Sequence, residues 1–251
     1  MTLPAAFFER PITHRGLHDR SKGVIENSLS AFEAAITGGY GIELDVQLSS
    51  DAEAMVFHDY DMARLTGERG AIQTRTADVV RGMTLTDSSD TIFDLPAVLD
   101  LVDGRVPLLI ELKDQDGAMG PNIGPLERAV ADALRGYQGE AALMSFNPHS
   151  TKALAQLAPD RPRGLVTSSY DPEDWAPLPA RVCDHLRDIP DYAASGSCFI
   201  SHEAHDLQRP RVAELKAEGA AILCWTIKSQ AQADAALAIA QNITFEGFIP
   251  A

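Results

Sequence analysis

Short apolar runs alternate with amphipathic stretches along the whole chain. The runs at 11–16, 41–46, 107–113, 141–146, 163–167, 197–201, 221–227 and 245–249 have the length and the Ile, Leu, Val and Phe content of buried strands. Between them lie helical patterns with recognisable ends. Leu29, Phe32 and Ile36 share a face behind Asn27 or Ser28 as cap, and Gly38-Gly39 stops that helix. Asp94 caps a helix whose inner face is Leu95, Val98, Leu99 and Val102. Further helices are predicted at 125–135, after Asn147-Pro148, at 211–218 and at 229–240, with an irregular helical region at 171–187. Eight strands alternating with helices predict a parallel sheet, and in a chain of 251 residues they predict its closure into a (β/α)8 TIM barrel. A doubly wound sheet would call for a Gly-rich phosphate turn after the first strand, and none is present. The whole of 1–251 reads as one catalytic barrel domain. It carries a small hairpin and irregular insertion at about 47–106 above the C-terminal face, with a short helix near 76–81.

The second strand breaks the apolar rule. Glu43 and Asp45 are two positions apart, so both side chains point to one face. Two acids side by side repel unless a cation lies between them. From Val46 to Met55 the connection is shorter than the dozen or so residues a parallel crossover needs. The chain must therefore turn back as an antiparallel hairpin, with its turn near Asp51-Ala52. That return brings His58 beside Asp45.

Charge narrows the function. A net charge of −15 argues against nucleic acid or an anionic bilayer as the main partner. It also means that an anionic substrate needs a local positive centre. No apolar run approaches the ~18 residues of a membrane span, and the N-terminal residues lack the pattern of a signal peptide. Cys183, Cys198 and Cys224 are few, odd in number and widely spaced, which reads as reduced thiols in the cytoplasm and not as a zinc site. The oligomeric state is left open.

The remaining polar residues fall at strand C-terminal ends, where barrel enzymes build their sites. His14 and Arg15 end the first strand, Glu111 and Lys113 the third, and Trp225 the seventh. Glu111 and Lys113 repeat the two-residue spacing and share the inner face, while Leu44, Val46 and Leu112 point outward to the helices. Glu43, Asp45 and Glu111 together form a hard oxygen site suited to Mg²⁺ or Ca²⁺. Arg15 and Lys113 supply charge for a phosphate. His14 and His58 offer an acid and a base near neutral pH. Such an inventory suits cleavage of a phosphodiester. His202 follows a strand and is a candidate for lining the mouth, whereas His18, His149 and His205 read as ordinary polar positions.

At these residues the sequence resembles the glycerophosphodiester phosphodiesterase family. The motifs occur in order as His14-Arg15-Gly16, Glu26-Asn27, Glu43-x-Asp45-Val46, His58-Asp59, Glu111-x-Lys113 and Trp225-Thr226. The resemblance implies metal-dependent hydrolysis of small glycerophosphodiesters to glycerol 3-phosphate and an alcohol. It implies a divalent metal on Glu43, Asp45 and Glu111, His14 and His58 as the acid–base pair, and Arg15, Lys113 and Trp225 around the substrate, with Glu26 and Asn27 in support. It further implies attack by the glycerol 2-hydroxyl through a cyclic phosphate, and the lack of a leader favours the cytoplasm. The chain departs from the pattern at Ile25, at Ile227-Lys228 and in the last strand, where Phe245-Glu246-Gly247-Phe248-Ile249-Pro250 lacks the usual Thr-Asp. Glu246 is a candidate to substitute there, or else a surface or core-edge residue. Two other functions fit the same residues: a phospholipase D-type activity on lysolipids, and an inactive barrel that only binds phosphodiesters.

Overall fold

In the computed structural model, which describes residues 1–251, the strands are β1 (Ile12–Thr13), β2 (Gly41–Leu48), β3 (Ala54–Val56), β4 (Leu108–Leu112), β5 (Ala141–Ser145), β6 (Arg163–Thr167), β7 (Phe199–Glu203), β8 (Ala221–Ile227) and β9 (Asn242–Phe245). All except β3 run parallel, and β1 closes the ring by pairing with both β9 and β2. The result is a (β/α)8 barrel. The helices are α1 (Ala6–Glu9), α2 (Leu29–Gly38), α3 (Ala63–Thr66), α4 (Ala77–Arg81), α5 (Leu95–Val102), α6 (Pro125–Ala133), α7 (Pro148–Leu157), α8 (Ala180–Arg187), α9 (Pro210–Ala217) and α10 (Gln230–Leu237). Side chains cap several of them: Ser28 on α2, Asp94 on α5, Asn147 on α7 and Ser229 on α10 each accept a hydrogen bond from a first-turn N–H. None of the helices is long and apolar enough to cross a membrane.

Strand alternation sorts the barrel into layers. Leu44, Val46, Leu108, Ile110 and Leu112 face outward and pack with Phe32, Val98, Leu126 and Val130 of the surrounding helices. Leu109, Met144, Val166, Phe199 and Leu223 fill the interior, plugged from the N-terminal end by Phe7 of α1. Asn242 ties that plug down by donating to the carbonyls of Phe7 (2.7 Å) and Arg10 (2.8 Å).

The first strand is shorter than the apolar run predicts. The His14 N–H still bonds the Phe245 carbonyl (2.8 Å), and then the chain turns. Arg15 and Gly16 both have positive φ (58° and 81°). Gly16 is required here, because a Cβ would lie 2.9 Å from Ala31 Cβ. The brevity of β1 has a second effect. It pairs only with the start of β2, at Gly41 and Ile42. The far half of that edge of β2 is free for β3, which pairs antiparallel through Val46, Gln47 and Leu48. In this register Phe57, not His58, stands opposite Asp45, and its N–H bonds the Asp45 carbonyl (3.0 Å). His58 is the next residue along.

Beyond β3 the chain leaves the barrel wall. Met55, Phe57, Met62, Leu65, Ile72, Val80, Leu85 and Ile92 form a separate small core with Ile25. By contrast α5, which falls within the expected insertion at about 47–106, packs in the main core around β2 and β4.

Candidate active site

Two positions on β2 and one on β4 bring three acids together. Asp45 pairs with Glu111 across the parallel register and Glu43 with Leu109, so all three carboxylates point into the barrel mouth. They are 2%, 1% and 6% exposed for Glu43, Asp45 and Glu111. Each offers an oxygen, and those atoms lie within 4.8 Å of one another. Burial, and then the charges of Asp45 and Glu111, push the Glu43 carboxyl well above its usual range. Burial opposes ionisation of Asp45 too, but His58, Lys113, Arg15 and a hydrogen bond from Asn27 outweigh it and hold its carboxyl below the usual range. Three buried carboxylates face only two neighbouring cations, Arg15 and Lys113, so the cluster holds more negative charge than its own cations neutralise. Such a buried oxygen set could hold a divalent metal.

The cations come from strand ends. Lys113 Nζ is 2.8 Å from Glu111 Oε1 and 3.6 Å from Asp45 Oδ1. The Arg15 backbone N–H donates to Glu43 Oε2 (2.9 Å), and Arg15 Nε is 3.4 Å from Asp45 Oδ2. Glu26 and Asn27 sit behind them. Arg15 Nη1 donates to Glu26 Oε1 (2.6 Å), and Asn27 Nδ2 donates to Asp45 Oδ2 (3.0 Å). Burial resists the charge on Glu26, but Arg64 and Arg15 overcome it and bring its carboxyl down to about 2. Arg64, on α3, also holds Asp59 (2.5 Å), which bonds His58 Nδ1 (2.8 Å). A continuous chain of ion pairs thus runs from Arg15 through Glu26 and Arg64 to Asp59, and a hydrogen bond carries it on to His58.

His14 is partly buried at the end of β1, the strand beside β2. Its Nδ1 is 2.5 Å from Glu246 Oε2. Desolvation lowers the imidazole's pKa against the opposing pull of Glu246. Glu246 also accepts from Lys228 (2.8 Å), and His18 Nε2 lies 3.7 Å away.

Seven of these predicted residues (His14, Arg15, Glu43, Asp45, His58, Glu111 and Lys113) line one cavity of about 100 Å³, together with Trp225. Trp225 lies inside β8, two residues short of its end. Its ring faces inward, packs edge-on against Phe146 (5.6 Å) and donates to the Ser201 carbonyl (2.9 Å). His202 does not reach the mouth. It follows the inward-facing Ser201 by one residue, so alternation turns it outward, where it is fully buried and bonded to Thr167 Oγ1 (2.7 Å). A second cavity of about 690 Å³ adjoins the first, sharing His58, Glu111, Lys113, Phe146 and Trp225. Tyr60, Trp175 and Leu178 extend its wall. Sequence reasoning missed Arg64, Phe146 and Trp175, and left Glu246 undecided. For Arg64 and Trp175 no motif gives a signal, since both come from irregular segments. Phe146 ends the predicted strand at 141–146 and was readable as an inward position by alternation.

A barrel with buried carboxylates, histidines and paired cations gathered at its C-terminal mouth has the build of a barrel hydrolase. Comparison with known proteins specifies the class. Residues 14–244 match the glycerophosphoryl diester phosphodiesterase family. A glycerophosphodiester phosphodiesterase of Caldanaerobacter subterraneus subsp. tengcongensis is 30% identical over 174 residues, covering 65% of this chain and 69% of that protein. A phosphodiesterase of Oleispira antarctica, solved in complex with the product sn-glycerol-3-phosphate, superposes with a TM-score of 0.75 at 22% identity, covering 96% of this chain and 94% of that one. A glycerophosphodiester phosphodiesterase from Thermotoga maritima gives 0.69 at 20%, covering 94% of each chain. At those identities the structural likeness speaks for the fold. The chain belongs to the glycerophosphoryl diester phosphodiesterase family and is an enzyme of that activity.

Proposed function

We propose that the protein hydrolyses small glycerophosphodiesters to glycerol 3-phosphate and an alcohol by acid–base catalysis between His14 and His58. The observation that carries this reading is the convergence of both histidines, both cations and all three carboxylates on one cavity of about 100 Å³. Arg15 and Lys113 face the phosphate from two sides and offset its charge. One imidazole takes the proton of the glycerol 2-hydroxyl. That oxygen attacks phosphorus, and the bond to the alcohol oxygen breaks as the other imidazole delivers a proton to it. The resulting cyclic phosphate is opened by water with the two roles exchanged, which leaves glycerol 3-phosphate. Glu43, Asp45 and Glu111 would hold Mg²⁺ or Ca²⁺, which when bound lowers the charge on the phosphoryl oxygens and the pKa of a coordinated hydroxyl. Trp225 and Phe146 wall the substrate, while Glu26 and Asn27 brace Arg15 and Asp45. Three free buried cysteines accord with a cytoplasmic setting.

The deciding experiment is a panel of glycerophosphodiesters assayed with several divalent metals, with a chelator and with a 2-deoxy analogue. Hydrolysis is expected only with metal and only with the 2-hydroxyl present. Normal turnover of the 2-deoxy compound would sink internal attack. The adjoining aromatic cavity of about 690 Å³ favours one second reading, a phospholipase D-type activity on lysolipids, since it has room for a chain. Faster turnover of acylated than of deacylated glycerophosphocholine would establish it.

A further inference from the structure

We infer that Glu246 is a positioning residue for His14, and that it fixes which ring nitrogen of His14 is free to move a proton. The inference rests on the reading that His14 is one of the two proton carriers. Strand pairing itself places the carboxylate there. β1 and β9 are in parallel register at Thr13 and Phe245, so the next residues, His14 and Glu246, emerge side by side at the mouth. On its other flank the Glu246 N–H bonds the Ile227 carbonyl (3.0 Å) at the end of β8. The backbone of Glu246 is therefore held from one strand and its side chain is aimed at the other.

The carboxylate divides its two oxygens. Oε1 takes Lys228 Nζ at 2.8 Å, and Oε2 takes His14 Nδ1 at 2.5 Å. A carboxylate can only accept, so Nδ1 carries the proton and Nε2 is left as the nitrogen that exchanges protons with substrate. His18 Nε2, buried and without a hydrogen-bond partner, lies 3.7 Å from the same Oε2. Without Glu246, His14 and His18 would lose the carboxylate that they share with Lys228. Arg15 is the other cation near His14, and Asp45 the other anion. The role is that of a carboxylate orienting an imidazole, filled here by the residue that follows the last barrel strand.

The test is Glu246→Gln, which keeps an oxygen for Nδ1–H but removes the charge. The expected kcat falls about 10–100-fold, as when an outer partner of a working histidine is removed, while KM stays within about threefold. Removing the negative charge destabilises the imidazolium. One limb of the kcat/KM–pH profile therefore moves to lower pH by about one unit. Movement of the acidic limb makes His14 the base, and movement of the basic limb makes it the acid. If Glu246→Gln folds poorly, Glu246→Asp carries the same test, with the charge kept and the limb unmoved while kcat drops through the shorter reach. Wild-type kcat and an unmoved profile in folded Glu246→Gln, with His14→Ala inactive, would overturn the inference alone. Full activity of His14→Ala would instead remove the reading on which it rests.

Discussion

At the scale of single residues, the site is a balance of buried charges, and each member has a distinct expected failure. His14→Ala and His58→Ala should each lower kcat by about 10²–10⁴-fold, the usual worth of a positioned proton carrier, with folding intact by thermal melting. Glu43→Gln and Asp45→Asn remove one acid from a cluster of three. Equilibrium dialysis should find the divalent cation bound by the parent chain lost or greatly weakened in both. Glu26 gives a pH signature that does not involve the metal. Its folded pKa of about 2 lies below the ordinary carboxyl value of 4.5. The stability from its pairs with Arg15 and Arg64 is therefore complete above about pH 4.5 and is lost as pH falls towards 2. Denaturant melts across that window should show a flatter acid arm for Glu26→Gln. Most of these residues were legible in the sequence because the chemistry demands acids, histidines and cations where a stable sheet wants Val and Leu. Glu246 was visible but undecided, since a lone Glu at a strand end says nothing until the register of β1 and β9 sets it beside His14. Arg64 was not legible at all. Its role depends on where an irregular segment carries α3, and no periodicity encodes that.

At the scale of elements, the strand-and-helix alternation read well for the order of the barrel, although the last apolar run, 245–249, begins where its strand, Asn242–Phe245, ends. It failed where length is set by tertiary context. β1 reads as a six-residue run but is a two-residue strand, because the turn at Arg15 and Gly16 must aim backbone and side chains into the mouth. Gly16→Ala should cost about 1–3 kcal/mol, the scale of a residue forced into a strained region, and should depress activity as Arg15 is displaced. The hairpin was readable from the short link between its arms, but the return arm is offset by one residue, with Phe57 opposite Asp45. Asp51 at its turn accepts from Ser49 Oγ (2.7 Å) and from the Ala77 N–H (2.8 Å), pinning α4 to the barrel rim. Asp51→Ala should weaken that attachment by about 1 kcal/mol. Hydrogen exchange would register it as faster amide exchange over 54–92, with the barrel strands unchanged.

At the scale of the whole molecule, a chain of net charge −15 handles an anionic phosphodiester. Long-range repulsion should slow encounter with diesters that carry net negative charge, and salt should relieve it. Raising ionic strength is expected to increase kcat/KM for an anionic diester relative to a zwitterionic one, as read from initial rates. The closed barrel was foreseeable from eight alternations, whereas the division of a small core after β3 from the packing of the barrel was not, because residues 60–90 have no regular period. That division has a consequence for how the enzyme fails. His58 rides on the segment with its own small core, whereas His14 and the three carboxylates ride on the barrel. The two proposed proton carriers thus sit on segments with separate cores, which are expected to open separately. On heating, catalysis should vanish at a lower temperature than the loss of barrel structure, and on prompt cooling it should return, since the wall that guides the segment home never came apart.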